Sequence, residues 1–252
     1  MSRSYTDVPT LNLDFLKPRR MRFHVPGSAK EGPRNGLGQS IAIGLSGGGH
    51  VVGAYEDCAV ADPQEHEYTN WIDARMAGSY RFMNVPILTD RMGPFPSING
   101  KPTPILKGVS FSDGSLFSDS SGFSQATVFG TIQSAAALNA GQIVLNVFGA
   151  ARDLRLSDWF SIYNEVKGWR VHRYWECSAG VAVTKSIDGY SYTGKQYTLG
   201  ITPPLREAVT AGQRVEFARP LCVMRFPAGE NTPWEVEANF MSAPSFQFIE
   251  AF

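Results

Sequence analysis

The chain is predicted to be mainly β, folded as sandwich- or barrel-like antiparallel sheets with one or two short helices. Three observations predict this. Trp234, Val236, Ala238 and Phe240 alternate with Glu235, Glu237 and Asn239, the period of a strand with one wet face. Turn signals recur every ten residues or so through the second half, the spacing of sandwiches and barrels. The chain also carries 25 Gly and 16 Pro, enough to punctuate many short strands. No fixed-period repeat is present, which sets solenoids and propellers aside.

At 252 residues, 43% hydrophobic and 12% aromatic, the chain can build one large β domain or two smaller ones. Pro94, Pro96, Pro102 and Pro104 crowd GPFPSINGKPTPI and deny ladder hydrogen bonds there. That segment reads as a linker or crossover, with an N-terminal β lobe over 1–95 and a sandwich-like lobe over 96–252.

In chain order, Leu11-Leu13-Phe15 and Met21-Phe23-Val25 are short apolar alternations flanking KPRR. Lys17, Arg19, Arg20 and Arg22 read as a solvated turn or as charges guarding an edge strand. Residues 28–38 read as loop, and 40–55 as two strands joined by a glycine-rich turn. From Tyr68 to Thr89 the residues suit one helical turn and then a strand ending at Pro86. Asp113-Gly114 marks a hairpin turn. SAAALNA (134–140) has the composition of a short helix stopped by Gly141, and IVLNVFG follows as a buried strand. LRLSDWFSI, WRVHRYWECSAGVAV and SYTGKQYTLGI supply three further strand candidates, divided by Gly168 and by Asp188-Gly189. Thr202 is placed to cap a helical turn begun by Pro203 and Pro204 and ended at Gly212. Phe246, Phe248, Ile249 and Phe252 close the chain and need cover from the fold or from another subunit.

Lys+Arg and Asp+Glu both number 23, for a formal charge of +0. A domain that grips nucleic-acid backbone as its main role carries a basic excess, so that class is set aside. Charged residues make up 18%, fewer than a solitary soluble domain tends to show, which suggests surface covered by partners. Cys58, Cys177 and Cys222 are too widely spaced for a metal site, and their odd number suits reduced thiols in a cytosolic product. His24, His50, His66 and His172 form no close ligand pair either. No apolar signal core or membrane-spanning run is present.

Four chemical motifs stand against plainer readings. Gly44-Leu45-Ser46-Gly47-Gly48 satisfies G-x-S-x-G, and His172 with an aspartate can complete a triad on paper. The glycines and valines after Ser46 make a poor helix, however, and the alternating strand–helix pattern of that hydrolase fold is missing. The same glycines lack the lysine of a phosphate loop. Asp113, Ser115 and Asp119 resemble the start of a calcium loop, but the glycine is misplaced and Ser124 stands where a bidentate glutamate belongs. Aromatics concentrated between Trp159 and Tyr197 leave a carbohydrate-binding module open, with Trp169 and Trp175 as its candidate platforms. Glu235 and Glu237 share a strand face, as solubilising acids commonly do.

ALNAGQIVLNVFG, LRLSDWFSIYNEVKGWRVHRYWECSAG and YTLGITPPLREAVTAGQRVEFARPLCVMRF follow one another across 135–252. This succession resembles the tail proteins of long-tailed bacteriophages. In these a strand precedes an L-x-x-G-D-x-F-x-I hairpin, a Y-R-V strand, a P-P-L-R turn and a V-x-F-x-x-P-x-C-x-M-R strand. The matching residues are Leu156 to Ile162, Arg173-Tyr174-Trp175, Pro203 to Arg206 and Val215 to Arg225; Ser157 replaces the glycine of the first motif. The resemblance implies a non-enzymatic virion protein of the distal-tail or minor-tail kind, assembled in host cytoplasm, with no catalytic residue, cofactor or metal. Its implied partners are copies of itself in a symmetric ring, the tail tube and other baseplate proteins, with nucleic-acid contact only in a tube lumen and no membrane. Arg206, Glu207, Phe246, Phe248 and Phe252 are the candidate subunit contacts. A carbohydrate-binding module for host adhesion, and a serine hydrolase through Ser46, remain the alternatives.

Overall fold

A computed structural model of the chain describes residues 4–27, 29–44, 48–89, 92–110, 113–187, 189–229 and 241–252. It is 45% strand and 9% helical, with antiparallel sheets, a closed six-stranded barrel, one long helix and one short helix. The elements begin with α1 (Leu13–Leu16), β1 (Pro18–His24), β2 (Ala29–Glu31), β3 (Ala42–Gly44), β4 (Val52–Cys58), α2 (Pro63–Met76) and β5 (Met83–Pro86). Next come β6 (Ser97–Ile98), β7 (Lys101–Pro102), β8 (Ile105–Val109), β9 (Phe123–Ala126), β10 (Phe129–Ile132), β11 (Gln142–Phe148) and β12 (Trp159–Asn164). The chain ends through β13 (Gly168–Cys177), β14 (Val181–Ile187), β15 (Tyr190–Thr202), β16 (Arg214–Glu216), β17 (Leu221–Arg225) and β18 (Phe246–Glu250).

These elements form two compact units that are not contiguous in sequence. The first holds 1–86, 165–169 and 222–252; the second holds 87–164 and 170–221. The boundary anticipated near residue 95 therefore has its counterpart at 86/87, and residues 222–252 join the first unit instead of continuing the second.

The first unit is built on a five-stranded sheet ordered β1-β4-β18-β17-β5. The final strand β18 lies in the middle of this sheet, paired with β4 from Phe246↔Tyr55 to Ile249↔Val52. Phe246 and Phe248 are fully buried there, with the Phe248 ring 5.4 Å from Tyr55 and 5.7 Å from Phe226. The chain thus covers these two terminal phenylalanines itself. At the edge, β1 carries Arg19, Arg20 and Arg22, of which Arg22 pairs with Glu56, while Lys17, just before the strand, pairs with Glu65. Edge charges of this kind discourage pairing with foreign strands.

Helix α2 is longer than the single turn anticipated. Asp62 and Glu65 form a capping box and Pro63 occupies the first turn. Glu65 accepts from the backbone N–H of Ala61 at 2.9 Å and of Asp62 at 3.2 Å. Glu65, Thr69, Ile72 and Met76 are buried at helical spacing, so one stripe faces the unit's interior.

The second unit is the barrel. Its order is β11-β10-β16-β12-β13-β15, closed by β11 against β15, with β14 attached outside along β15. Closure runs over seven pairs from Gln142↔Gly200 to Phe148↔Gly194. Ile143, Leu145 and Val147 from β11 join Phe160, Ile162, Leu199, Ile201, Val215 and Phe217 in its core. Closing a sheet on itself removes two of its edges.

Two segments with helical composition are not helical. Residues 134–141 and 201–212 pair with each other: Ala136 and Val209 exchange N–H···O bonds of 3.1 and 2.9 Å. Asn139 N–H also donates to Leu205 O, Leu205 N–H to Ala140 O and Ile201 N–H to Gly141 O, all within 3.0 Å. These bonds satisfy the backbone of two segments that run as bends and turns around one bridge, and tertiary pairing overrides propensity. Nor is the proline-rich segment a bare linker. Its β6 and β7 form a hairpin through Asn99 (φ 53°) and Gly100 (φ 77°), a turn in which both central residues are left-handed.

Candidate functional site

Two features of the described residues stand apart from core packing: a pair of apolar hairpins and a polar cleft on the barrel.

The first hairpin, β2–β3 of the first unit, is a two-stranded sheet joined to no other. Asn35 orders its tip, its Oδ1 accepting from Leu37 N–H at 3.0 Å and Gln39 N–H at 2.9 Å. The ordered tip presents Leu37 at 84% exposure and Ile41 at 74%. The second, β8–β9 of the barrel unit, is also a separate two-stranded sheet. Its connection is pinned by two Asx turns, in which Asp113 and Asp119 each accept from a serine two residues on, through N–H at 2.9 Å and Oγ–H at 2.6 Å. These turns account for the calcium-like spacing, and among the described residues no group of three His, Cys, Asp or Glu converges as a metal site. Leu106, Leu116, Phe117 and Phe123 remain exposed along this hairpin. A lone hairpin in water is marginally stable, and exposed apolar surface on one marks an interaction surface.

The barrel's polar cleft is organised by two aspartates. Asp158 is buried and receives a bidentate pair from Arg152, Nη1 to Oδ2 at 2.9 Å and Nη2 to Oδ1 at 2.6 Å. Arg155 N–H and the Tyr174 hydroxyl also donate to it, at 2.8 and 3.3 Å. The bond to Asp158 raises the Arg152 pKa, and burial pushes the Tyr174 phenol up. Asp153 instead lies open: Lys195 Nζ donates to its Oδ1 at 2.6 Å and the Tyr197 hydroxyl at 2.8 Å. The Lys195 bond holds the Asp153 carboxyl below the usual range, while burial raises the Tyr197 phenol. Hollows of about 510 and 390 Å3 share Asp153 and Tyr197 in their walls, and Trp175 lines the smaller.

The anticipated site residues are distributed as follows. Phe246 and Phe248 are core residues, which removes them as subunit contacts; Phe252 is 42% exposed, its ring 4.8 Å from His50. Arg206 and Glu207 are half-buried in a bend after Thr202, not in a capped helical turn. Ser46, the strand expected over 234–240 with Glu235 and Glu237, and Asp188 lie outside the described residues. His172 is fully buried with Nδ1 2.8 Å from Pro203 O, so that nitrogen carries a proton and donates to the carbonyl. Cys58 is buried and its thiol is pushed up to about 12, which keeps it protonated and unreactive near neutrality. Of the two candidate platforms, Trp175 is open, next to the buried Tyr174, while Trp169 packs against Phe82, Val223 and Ala251. Asp153 and Lys195, 42 residues apart, were not legible as partners.

No helix among the described residues is long and apolar enough to cross a membrane. No family model and no curated protein matches the chain.

Proposed function

We propose that the chain is a structural component of a long-tailed bacteriophage tail, a distal-tail or minor-tail protein of the tail tip or baseplate. It acts by binding copies of itself in a symmetric ring and by joining the tail tube to other baseplate proteins, in a virion assembled in host cytoplasm. The observation that carries the reading is the pair of ordered, apolar hairpins that belong to neither main sheet. Each offers unpaired strand edges and greasy side chains to a neighbour, as a closed ring requires of its repeated interface. Two further points support it: the resemblance across 135–252, and motif residues that serve folding. Asp158 of the L-S-D-W-F stretch is the hub of four hydrogen bonds.

Sedimentation velocity and electron microscopy of the purified full chain test the proposal, with gold-labelled antibody on phage particles for location. A ring of discrete size and label at the tail end are expected. A chain that stays monomeric at high concentration and is missing from particles would overturn it.

A further inference from the structure

The geometry points to the smaller cleft on the barrel as a binding site for a neutral pyranose sugar, stacked on Trp175 and hydrogen-bonded by Asp153. Trp175 is 64% exposed in a strand whose preceding residue, Tyr174, is buried. A β-bulge places it there: Tyr174 pairs with Ile201 and Glu176 with Gly200, leaving Trp175 as the extra residue. Bulges re-aim side chains in this way.

The indole is seated, not loose. A Cβ at Gly200 would stand 3.0 Å from its Cε2 and Cζ2, so the ring rests against bare backbone of β15. Also in the cleft wall, Tyr197 is packed over Gly180, where a Cβ would come within 2.8 Å of the ring. The Tyr197 hydroxyl in turn fixes Asp153 at 2.8 Å. A carboxylate has about four lone-pair positions, and Lys195 and Tyr197 account for two. The cleft thus holds one apolar platform and one fixed acceptor in a common lining that also includes Arg155 and Glu176. Its volume of about 390 Å3 suits a small ligand.

A pyranose matches these groups, since one ring face is apolar C–H and the rim is hydroxyl. A nucleotide matches less well: Lys195 is committed to Asp153, and the lining sets two carboxylates, Asp153 and Glu176, against the one guanidinium of Arg155, a net negative charge that disfavours phosphate. A quaternary ammonium wants a cage of several rings, whereas Tyr197 is buried and leaves Trp175 as the one open ring among the lining residues.

The test uses the full chain, titrated with glucose, galactose, N-acetylglucosamine and their short oligomers. Saturation-transfer NMR and tryptophan fluorescence are the readouts, and adenosine monophosphate is the charged comparison. Saturable sugar binding is expected, weakened at least about tenfold by Trp175→Ala, weakened by Asp153→Asn, and unchanged by Trp71→Ala in the other unit. A thermal melt checks that each variant is folded, and Asp153→Asn decides alone if Trp175→Ala is not. The inference falls if no sugar saturates, if the two cleft variants bind like the unaltered chain, or if adenosine monophosphate binds more tightly than every sugar. Its failure leaves the ring proposal standing, because that is read by sedimentation and not by sugar binding.

Discussion

Asp158 and Phe248 lie in motifs or patterns that the sequence singles out, and both are structural. Asp158 is buried, and its charge is met by Arg152, Arg155 N–H and Tyr174. Asp158→Ala leaves a guanidinium facing a cavity and a backbone donor without its acceptor. Removing one partner of a buried pair costs about 3 kcal/mol or more, so the variant's urea midpoint should fall sharply; a change below about 1 kcal/mol would refute the role. Phe248 is fully buried, while Phe252, four positions on, is 42% exposed. Phe248→Ala should cost about 3–5 kcal/mol, the usual loss for a core phenylalanine. Phe252→Ala, at a residue 42% exposed, should cost less than about 1 kcal/mol. Equal losses for the two would mean that the terminal strand is not built into the sheet as described.

At the level of elements, helix α2 carries a pH dependence. The Lys17 ammonium, with the N–H groups of Ala61 and Asp62, holds the Glu65 carboxyl below its ordinary value. The folded state therefore binds fewer protons than the unfolded state at that residue. The resulting stability is present above the ordinary glutamate pKa, about 4.3, and is lost as pH falls through the lower folded value. Lys17, raised by the same bond, stays protonated across that range. The stability gap between the unaltered chain and Glu65→Gln, measured by urea, should shrink between about pH 7 and about pH 3. A gap constant with pH would show that the carboxylate plays no such part. The hairpin β2–β3 makes a second prediction: Ile41→Lys with Ile43→Lys should abolish self-association and leave the thermal midpoint within a few degrees, because both side chains are exposed.

The same elements show what was legible. The strands β11, β12, β13 and β15 were legible from their apolar residues and from breakers such as Gly168, whereas β14 was not separated from β13, because WRVHRYWECSAGVAV read as one strand. Helix α2 was missed although Asp62-Pro63-Gln64-Glu65 is a start signal; its interior is polar apart from one stripe, so periodicity alone is weak. The Asn99-Gly100 turn was hidden by the prolines around it. Residues 134–141 and 201–212 misled because local composition says nothing about a partner some seventy residues away. Of the cleft, only Trp175 was legible, as a candidate platform; Asp153, Lys195 and Tyr197 meet through barrel closure.

For the molecule as a whole, the chain passes between its two units at 86/87, 164/165, 169/170 and 221/222. A cut chosen from the proline-rich segment and one chosen from the fold therefore have different consequences. A fragment of residues 96–252 retains β17 and β18 but loses β1, β4 and β5, their partners in the five-stranded sheet. Phe246 and Phe248 would then meet water along a strand edge that has lost its β4 partner, which favours aggregation. A fragment of residues 87–221 keeps all six barrel strands and the closing β11–β15 ladder, with the core they enclose. It should remain soluble, show a β-type circular dichroism spectrum and melt cooperatively, while 96–252 should be recovered mainly in the insoluble fraction. If 96–252 were the soluble, cooperative fragment and 87–221 the aggregate, the placement of the C-terminal strands in the first unit would be wrong, and with it the account of how the terminal phenylalanines are covered.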